Sequence, residues 1–343
     1  MRGEPIPRAA VRRALLRFPN WLGDTVMALP TLDALRAALP PDTRVWCVGP
    51  WVETIVPPEP GRVERLRSAA GVARRLRQAL GWRPAGLDLA VVLPNSFEAA
   101  MAAWLSGARW RVGYAGDGRT ALLTHALGAA PGATHQVSAY LRLLRPLGVD
   151  VVPTPPTLAV AAEAREEARA LLRGAGLEPR DVAIGLQLGA AFGPSKLWPV
   201  DRLAALADRL AARGLRPVLL GTAASGELRD AVQAAVRRPV ASLVGGDRPA
   251  LLPAVLGELA ALVAADSGPA HVAAAVGVPT VTLFGPTDPR LTAPLGPRQR
   301  AIWRRPPCAP CFRARCPIDH RCLAAVTVDA VEMEVLEALA CRG

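Results

Sequence analysis

The chain has 343 residues, enough for two domains at the usual roughly 100–200 residues each. Its hydrophobic fraction of 51% excludes wholesale disorder, and its apolar tracts break well short of the roughly 18 residues a spanning helix needs. The formal charge of +12 suits nucleic acid, anionic lipid or a phosphorylated substrate equally, so charge alone selects none of them.

The predicted elements alternate along the chain. The opening MRGEPIPRAAVRRALLRF is basic but has no apolar core followed by a cleavage site, so a soluble, cytoplasmic protein is expected. Residues 14–18 (ALLRF), 44–48 (RVWCV) and 87–93 (LDLAVVL) read as buried strands, with a helix over 24–39 after the first. The rhythm restarts with a strand over 182–188, a helix over 200–213, a strand over 217–220 and a helix over 225–237. A strand over 259–264, a helix over 269–276 and a strand over 280–284 follow. Near-continuously apolar strands separated by helices predict parallel sheets covered on both faces. Residues 152–157 (VPTPPT) hold three prolines and read as a linker. The expected fold class is therefore α/β: two Rossmann-like, doubly wound domains over 1–155 and 156–343, with a cleft between them and a last helix free to pack back on the first domain. Open sheets of this kind take ligands at the carboxyl ends of their strands, so the loops after strands are where chemistry is expected.

Three such loops stand out. In Pro19-Asn20-Trp21-Leu22-Gly23-Asp24, Gly23 permits a tight turn, and Asp24 is either a helix cap or a general base at the cleft mouth. The stretch from Leu188 to Pro199 (LGAAFGPSKLWP) has two glycines, lacks the spacing of a phosphate-binding Walker loop, and contains Lys196. Of 41 basic residues, 40 are Arg and Lys196 alone is Lys. A compact ammonium in a restricted space is a physical reason to resist Arg, whereas a solvated loop cation would give none. In the third loop, Asp266, Ser267 and Gly268 end a strand and open a helix whose backbone N–H groups suit an anion, with His271 one turn further on. The plainer reading there is a helix cap and a core-edge histidine.

The first and third loops, with Leu283-Phe284-Gly285-Pro286-Thr287, resemble the signature of the ADP-heptose:lipopolysaccharide heptosyltransferases, glycosyltransferase family 9. Leu93-Pro94-Asn95-Ser96-Phe97, the 189–199 stretch and Cys308-Ala309-Pro310-Cys311 are similar to the heptosyltransferase II branch of that family. The likeness runs over about residues 14–340, with Leu188 and Ala265 departing from the family pattern. It implies a GT-B fold and inverting transfer of L-glycero-D-manno-heptose from ADP-heptose to the inner-core heptose of lipopolysaccharide. The N-terminal domain would then bind the acceptor and the C-terminal domain the donor. It further implies that Asp24 is the base, that Lys196 lies on the donor phosphates, and that Asp266, Ser267, Gly268 and His271 form the donor loop. Glu227 would hold the nucleotide ribose, and Gly23, Asn95 and Ser96 would face the acceptor. No Asp-x-Asp pair occurs in the sequence. Metal-independent catalysis with no cofactor is therefore expected, with Lys196 and a helix N-terminus stabilising the leaving diphosphate.

The remaining features are less specific. Cys308, Cys311, Cys316 and Cys322, with His320 among them, either hold a structural zinc or iron or form a reduced, cysteine-rich loop; Cys47 and Cys341 stand apart. Residues 61–83 carry seven Arg and one acid, Glu64. That run is either a solvated face or a surface that docks on a membrane-held, anionic lipid A–Kdo–heptose acceptor at the inner face of the inner membrane. A sugar-nucleotide epimerase or hydrolase on the same fold is the competing enzyme class. No nucleic-acid partner is expected, since no recognition motif or aromatic stripe accompanies the charge.

Overall fold

The computed structural model describes residues 4–246 and 248–340. Cys341 lies outside the described residues. The chain divides into two compact units, 1–156 and 157–343. Residues 151–161 carry no regular secondary structure, and Val152 there is 84% exposed.

The first unit is built on six parallel strands: β1 (Arg13–Arg17), β2 (Arg44–Gly49), β3 (Val63–Arg67), β4 (Leu89–Val92), β5 (Trp110–Tyr114) and β6 (His125–Leu127). Their order is β3-β2-β1-β4-β5-β6. Leu15 and Leu16 of β1 and all of β4 are buried, as expected of strands covered on both faces. Chain order reverses between β1 and β4, and the loops that follow these two strands line the crevice where open α/β sheets take ligands. The expected helix over 24–39 is two helices, Leu22–Met27 and Leu29–Ala38, separated at Ala28. Pro30 explains the break: it has no N–H to donate, and its ring opposes a continuous preceding turn, so it sits in the first turn of a new helix.

The second unit repeats the plan with β7 (Ala183–Gln187), β8 (Arg216–Leu220), β9 (Ala241–Ser242), β10 (Ala261–Ala265), β11 (Thr280–Phe284) and β12 (Gln299–Trp303), ordered β12-β11-β10-β7-β8-β9. All pairings in both sheets are parallel. The reversal here falls between β7 and β10. The last helix, Val328–Ala340, packs within its own unit, on helix Val200–Ala212 and on β10 and β11. Val331 and Val335 enter that core, and the nearly buried Glu332 accepts hydrogen bonds from Arg209 (3.1 Å) and Arg213 (2.7 Å). These bonds, Arg213 first, hold the Glu332 carboxyl below its usual range.

Candidate functional site

In the first unit, the loop after β1 is organised by a buried cation. Arg17 closes β1, is 3% exposed, and donates to Asn20 Oδ1 (2.8 Å) and to the Phe18 carbonyl. Burial lowers its pKa to about 10, opposed by the charge of Glu98. The loop it pins delivers the chain into helix Leu22–Met27. Trp21 is the N-cap of that helix, so Asp24 lies inside its first turn and is not the cap. The Asp24 carboxylate is half-buried and accepts a 2.9 Å hydrogen bond at Oδ1 from the Tyr140 hydroxyl. Gly23 beside it is buried.

After β4, Asn95 is exposed, and its Oδ1 accepts from Arg119 Nη2 (2.9 Å) while Pro94 O accepts from Nη1 (2.6 Å). Arg119 is 1% exposed, so Asn95 is oriented from beneath by a buried guanidinium. Ser96 has a structural duty: its hydroxyl accepts from Ala99 N (3.2 Å) as the N-cap of helix Phe97–Leu105. The arginine-rich run is not uniformly solvated. Arg75 is ion-paired with Glu98 (3.0 Å), and Arg65 donates to the Glu53 carbonyl (3.1 Å), whereas Arg74 and Arg77 are exposed.

In the second unit, the loop after β7 is shaped by two glycines that no other residue could replace without movement. Gly189 has φ +82, and a Cβ there would lie 2.8 Å from Ser225 Oγ. Gly193 has φ +141, and a Cβ there would lie 2.4 Å from the Ala314 carbonyl oxygen. The loop ends in the single turn Pro194–Lys196, anchored by Ser195, whose hydroxyl donates to Arg313 O (2.5 Å) and whose N–H donates to Ala314 O (3.1 Å). Lys196 is thereby drawn inward. It is 9% exposed, not a solvated loop cation, and its ammonium donates to Asp266 Oδ2 and to Asp266 O, both at 2.7 Å. The Phe192 ring lies against it, with the ammonium 4.8 Å from the centroid.

Asp266 follows β10 and is 6% exposed. Its Oδ2 also accepts from Thr287 Oγ1 at 2.7 Å. The Lys196–Asp266 pair therefore bridges the loops after β7 and β10, across the reversal of strand order. Ser267 caps helix Gly268–Ala275 through its backbone while its hydroxyl donates to Ala265 O (3.0 Å), and Pro269 occupies the first turn. His271 is the fourth residue of that helix and is 5% exposed. Glu227 is exposed in the first turn of helix Gly226–Ala235, two residues beyond Ser225, whose hydroxyl reaches Leu188 O (3.3 Å). Five of the expected residues (Lys196, Asp266, Ser267, Gly268 and His271) thus belong to two adjoining loops and the helix they open.

Thr287, Arg17, Arg119 and Tyr140 carry weight that the sequence reading did not assign. A signal existed for two of them. Arg17 is a charge at the end of an apolar strand, and Tyr140 is one of only two tyrosines in the chain.

The structural-metal expectation is not supported. Cys308, Cys311, Cys316 and Cys322 line one small cavity with Ser195 and Pro286. Among the described residues, however, no group of three or more His, Cys, Asp or Glu side chains is arranged to hold a metal ion. The segment spends its polar groups on turns instead: Cys316 Sγ accepts the His320 N–H (3.4 Å), and backbone donors from Ile318 and His320 lower that thiol's pKa. His320, at φ +54, begins helix Arg321–Ala324.

A family model described as "Glycosyltransferase family 9 (heptosyltransferase)" matches residues 73–321. The lipopolysaccharide heptosyltransferase 2 of Salmonella typhimurium is 29% identical over 304 residues, 84% of this chain and 87% of that protein. Its Escherichia coli K12 counterpart is 28% identical over 307 residues, with the same coverage of 84% and 87%. The solved structure of the E. coli ADP-heptose lipopolysaccharide heptosyltransferase II superposes with a TM-score of 0.82 at 27% identity, covering 96% of this chain and 99% of that one. The architecture of two six-stranded doubly wound domains is the GT-B fold of these enzymes.

Proposed function

The chain belongs to glycosyltransferase family 9, and from that membership we propose that it transfers heptose from ADP-L-glycero-D-manno-heptose to the inner-core heptose of lipopolysaccharide, as a heptosyltransferase II. The observation that carries this reading is the likeness to lipopolysaccharide heptosyltransferase 2 across 84% of the chain. In this reading the first unit holds the acceptor near Gly23, Asn95 and Ser96. The second unit holds the donor.

Each step is assigned to a residue type able to perform it. Asp24 takes the proton of the acceptor hydroxyl as that oxygen attacks the anomeric carbon, and the bond from that carbon to the ADP oxygen breaks with inversion. Charge then grows on the departing diphosphate. Lys196, already fixed by Asp266, and the N-terminus of helix Gly268–Ala275 offer preorganised positive potential to that charge. Glu227 takes the ribose hydroxyls.

The test is incubation with ADP-heptose and lipid A–Kdo acceptors carrying no heptose or one heptose, read by mass. One heptose added only to the acceptor that already has one is the expected result. Addition to the heptose-free acceptor would move the activity to the preceding transfer step. Donor consumption with no acceptor gain would favour a hydrolase or epimerase.

The reading includes peripheral attachment to the inner face of the inner membrane, where such an acceptor is held. No helix among the described residues is long and apolar enough to cross a membrane. Support for surface attachment comes from helix Val72–Gly81, where Arg74 and Arg77 are exposed beside Val72 (52% exposed) and Leu80 (48% exposed). Cations flanked by apolar side chains suit an anionic lipid surface. Arg74→Glu with Arg77→Glu is expected to weaken turnover of vesicle-bound acceptor several-fold at low salt, with the difference shrinking as salt is added. Equal rates for mutant and parent on vesicles at low salt would exclude this surface.

A further inference from the structure

Tyr140 is 3% exposed, and its buried hydroxyl needs a partner. The partner is Asp24 Oδ1, at 2.9 Å across 116 residues of sequence. The tyrosine is not loosely presented. Its helix, Gln136–Arg142, is capped by His135, which accepts from Val137 N (3.3 Å). The helix is also tied to β5 by Tyr114, whose hydroxyl donates to Ala139 O (2.6 Å). The backbone beside Tyr140 is thus fixed by a bond to the sheet, and the hydroxyl has little freedom to follow a carboxylate that rotates away.

We propose that Tyr140 is a positioning residue for the base: through its hydrogen bond it sets the rotation of the Asp24 carboxylate and favours its ionised form. The proposal rests on the reading of Asp24 as the base. Burial, reinforced by Asp24, raises the Tyr140 phenol well above its ordinary range, so it remains a proton donor wherever the enzyme works. The groups acting on the hydroxyl are Asp24, Gln136 and Tyr114. Arg142 and Arg145 act in turn on Tyr114. The other helices packed on Leu22–Met27 carry Asp33, Arg36 and Glu53. Of these, Arg36 is engaged by Asp33 and Glu59.

A hydrogen bond donated to a carboxylate stabilises the anion and lowers its pKa. Turnover needs the anion, so activity falls as pH drops through that pKa. Tyr140→Phe keeps the ring, removes the donor, and is expected to move the acid limb of the kcat/KM profile upward by about 1 pH unit. Activity on that limb then falls about tenfold and recovers on the alkaline side. An unmoved limb in a folded Tyr140→Phe enzyme, with rates normal or uniformly reduced, would overturn the proposal and reduce Tyr140 to packing. Asp24→Asn, measured alongside, separates the two ideas. If that variant is inactive while the Tyr140→Phe limb stays put, only the tyrosine's role is lost. If it turns over normally, the base assignment fails and the proposal fails with it.

Discussion

Asp24→Asn is expected to lower turnover by roughly 10²–10⁴-fold, the usual worth of a general base, while donor affinity stays nearly unchanged. The substitution is structurally mild. Asp24 is not the N-cap residue of its helix, and Asn retains an Oδ1 acceptor for the Tyr140 hydroxyl. What it removes is the capacity to take a proton. Single-turnover rates at saturating donor and acceptor, with donor binding followed by calorimetry, make the comparison. A folded Asn variant with near-normal turnover would leave Asp24 as a hydrogen-bonding residue only.

Lys196 gives the second large effect, and burial changes what is expected of it. Lys196→Ala leaves the Asp266 carboxylate, 6% exposed, with hydroxyl partners in place of a cation. Removing one member of a buried pair destabilises by about 3–5 kcal/mol, so a lowered Tm accompanies the loss of activity. Adding Asp266→Asn to Lys196→Ala removes the unpaired charge and should restore much of the Tm but none of the turnover. Lys196→Arg keeps the charge but puts a planar fork where a point donor reaches Asp266 O and Oδ2 at once. The loop around it is closed by Gly193 against Ala314 and by Phe192 against the ammonium. Lys196→Arg is expected to lose most activity, in kcat as well as in donor affinity, because the leaving-group charge is largest in the transition state. Wild-type kinetics in a Lys196→Arg enzyme would remove the phosphate role.

The central strands were legible because they are buried on both faces and therefore read as unbroken apolar runs. Val63–Arg67 and Gln299–Trp303, each rich in charged or polar residues, escaped notice, as did the short His125–Leu127 and Ala241–Ser242. All four are edge strands, where one side has no neighbour and the composition has no reason to be apolar. Trp110–Tyr114 lies inside the sheet but carries Arg111 and Gly113, which interrupt the pattern. The loops that carry Lys196 and Asp266 were legible for a related reason: they follow buried, largely apolar strands, and the first holds the chain's single lysine. Lys196 was marked by composition alone. Its burial was not, because the carbonyl groups that hold its loop belong to Arg313 and Ala314. Arg119 was invisible on the same ground, since it acts on a residue whose own neighbourhood in sequence gives no sign of it, and Tyr140 was marked only by the rarity of tyrosine in the chain.

The seat of Gly193 against Ala314 has a consequence for the order in which the protein matures. The Lys196 loop is made early in the second unit, yet the Arg313 and Ala314 carbonyls that hold Ser195 arrive more than a hundred residues later, a separation of 118 between Ser195 and Arg313. Domains tend to fold as units while the chain emerges, the N-terminal one first. The first unit, with Asp24 and Tyr140 both inside it, can therefore reach its final form while the second is still being synthesised. The Lys196 loop cannot, because its closing contacts come from residues translated well after it, and long-range closures are the slow ones. Until the ribosome has passed residues 313 and 314, the nascent chain has Asp24 and Tyr140 in place but lacks the carbonyl groups that hold the Lys196 loop.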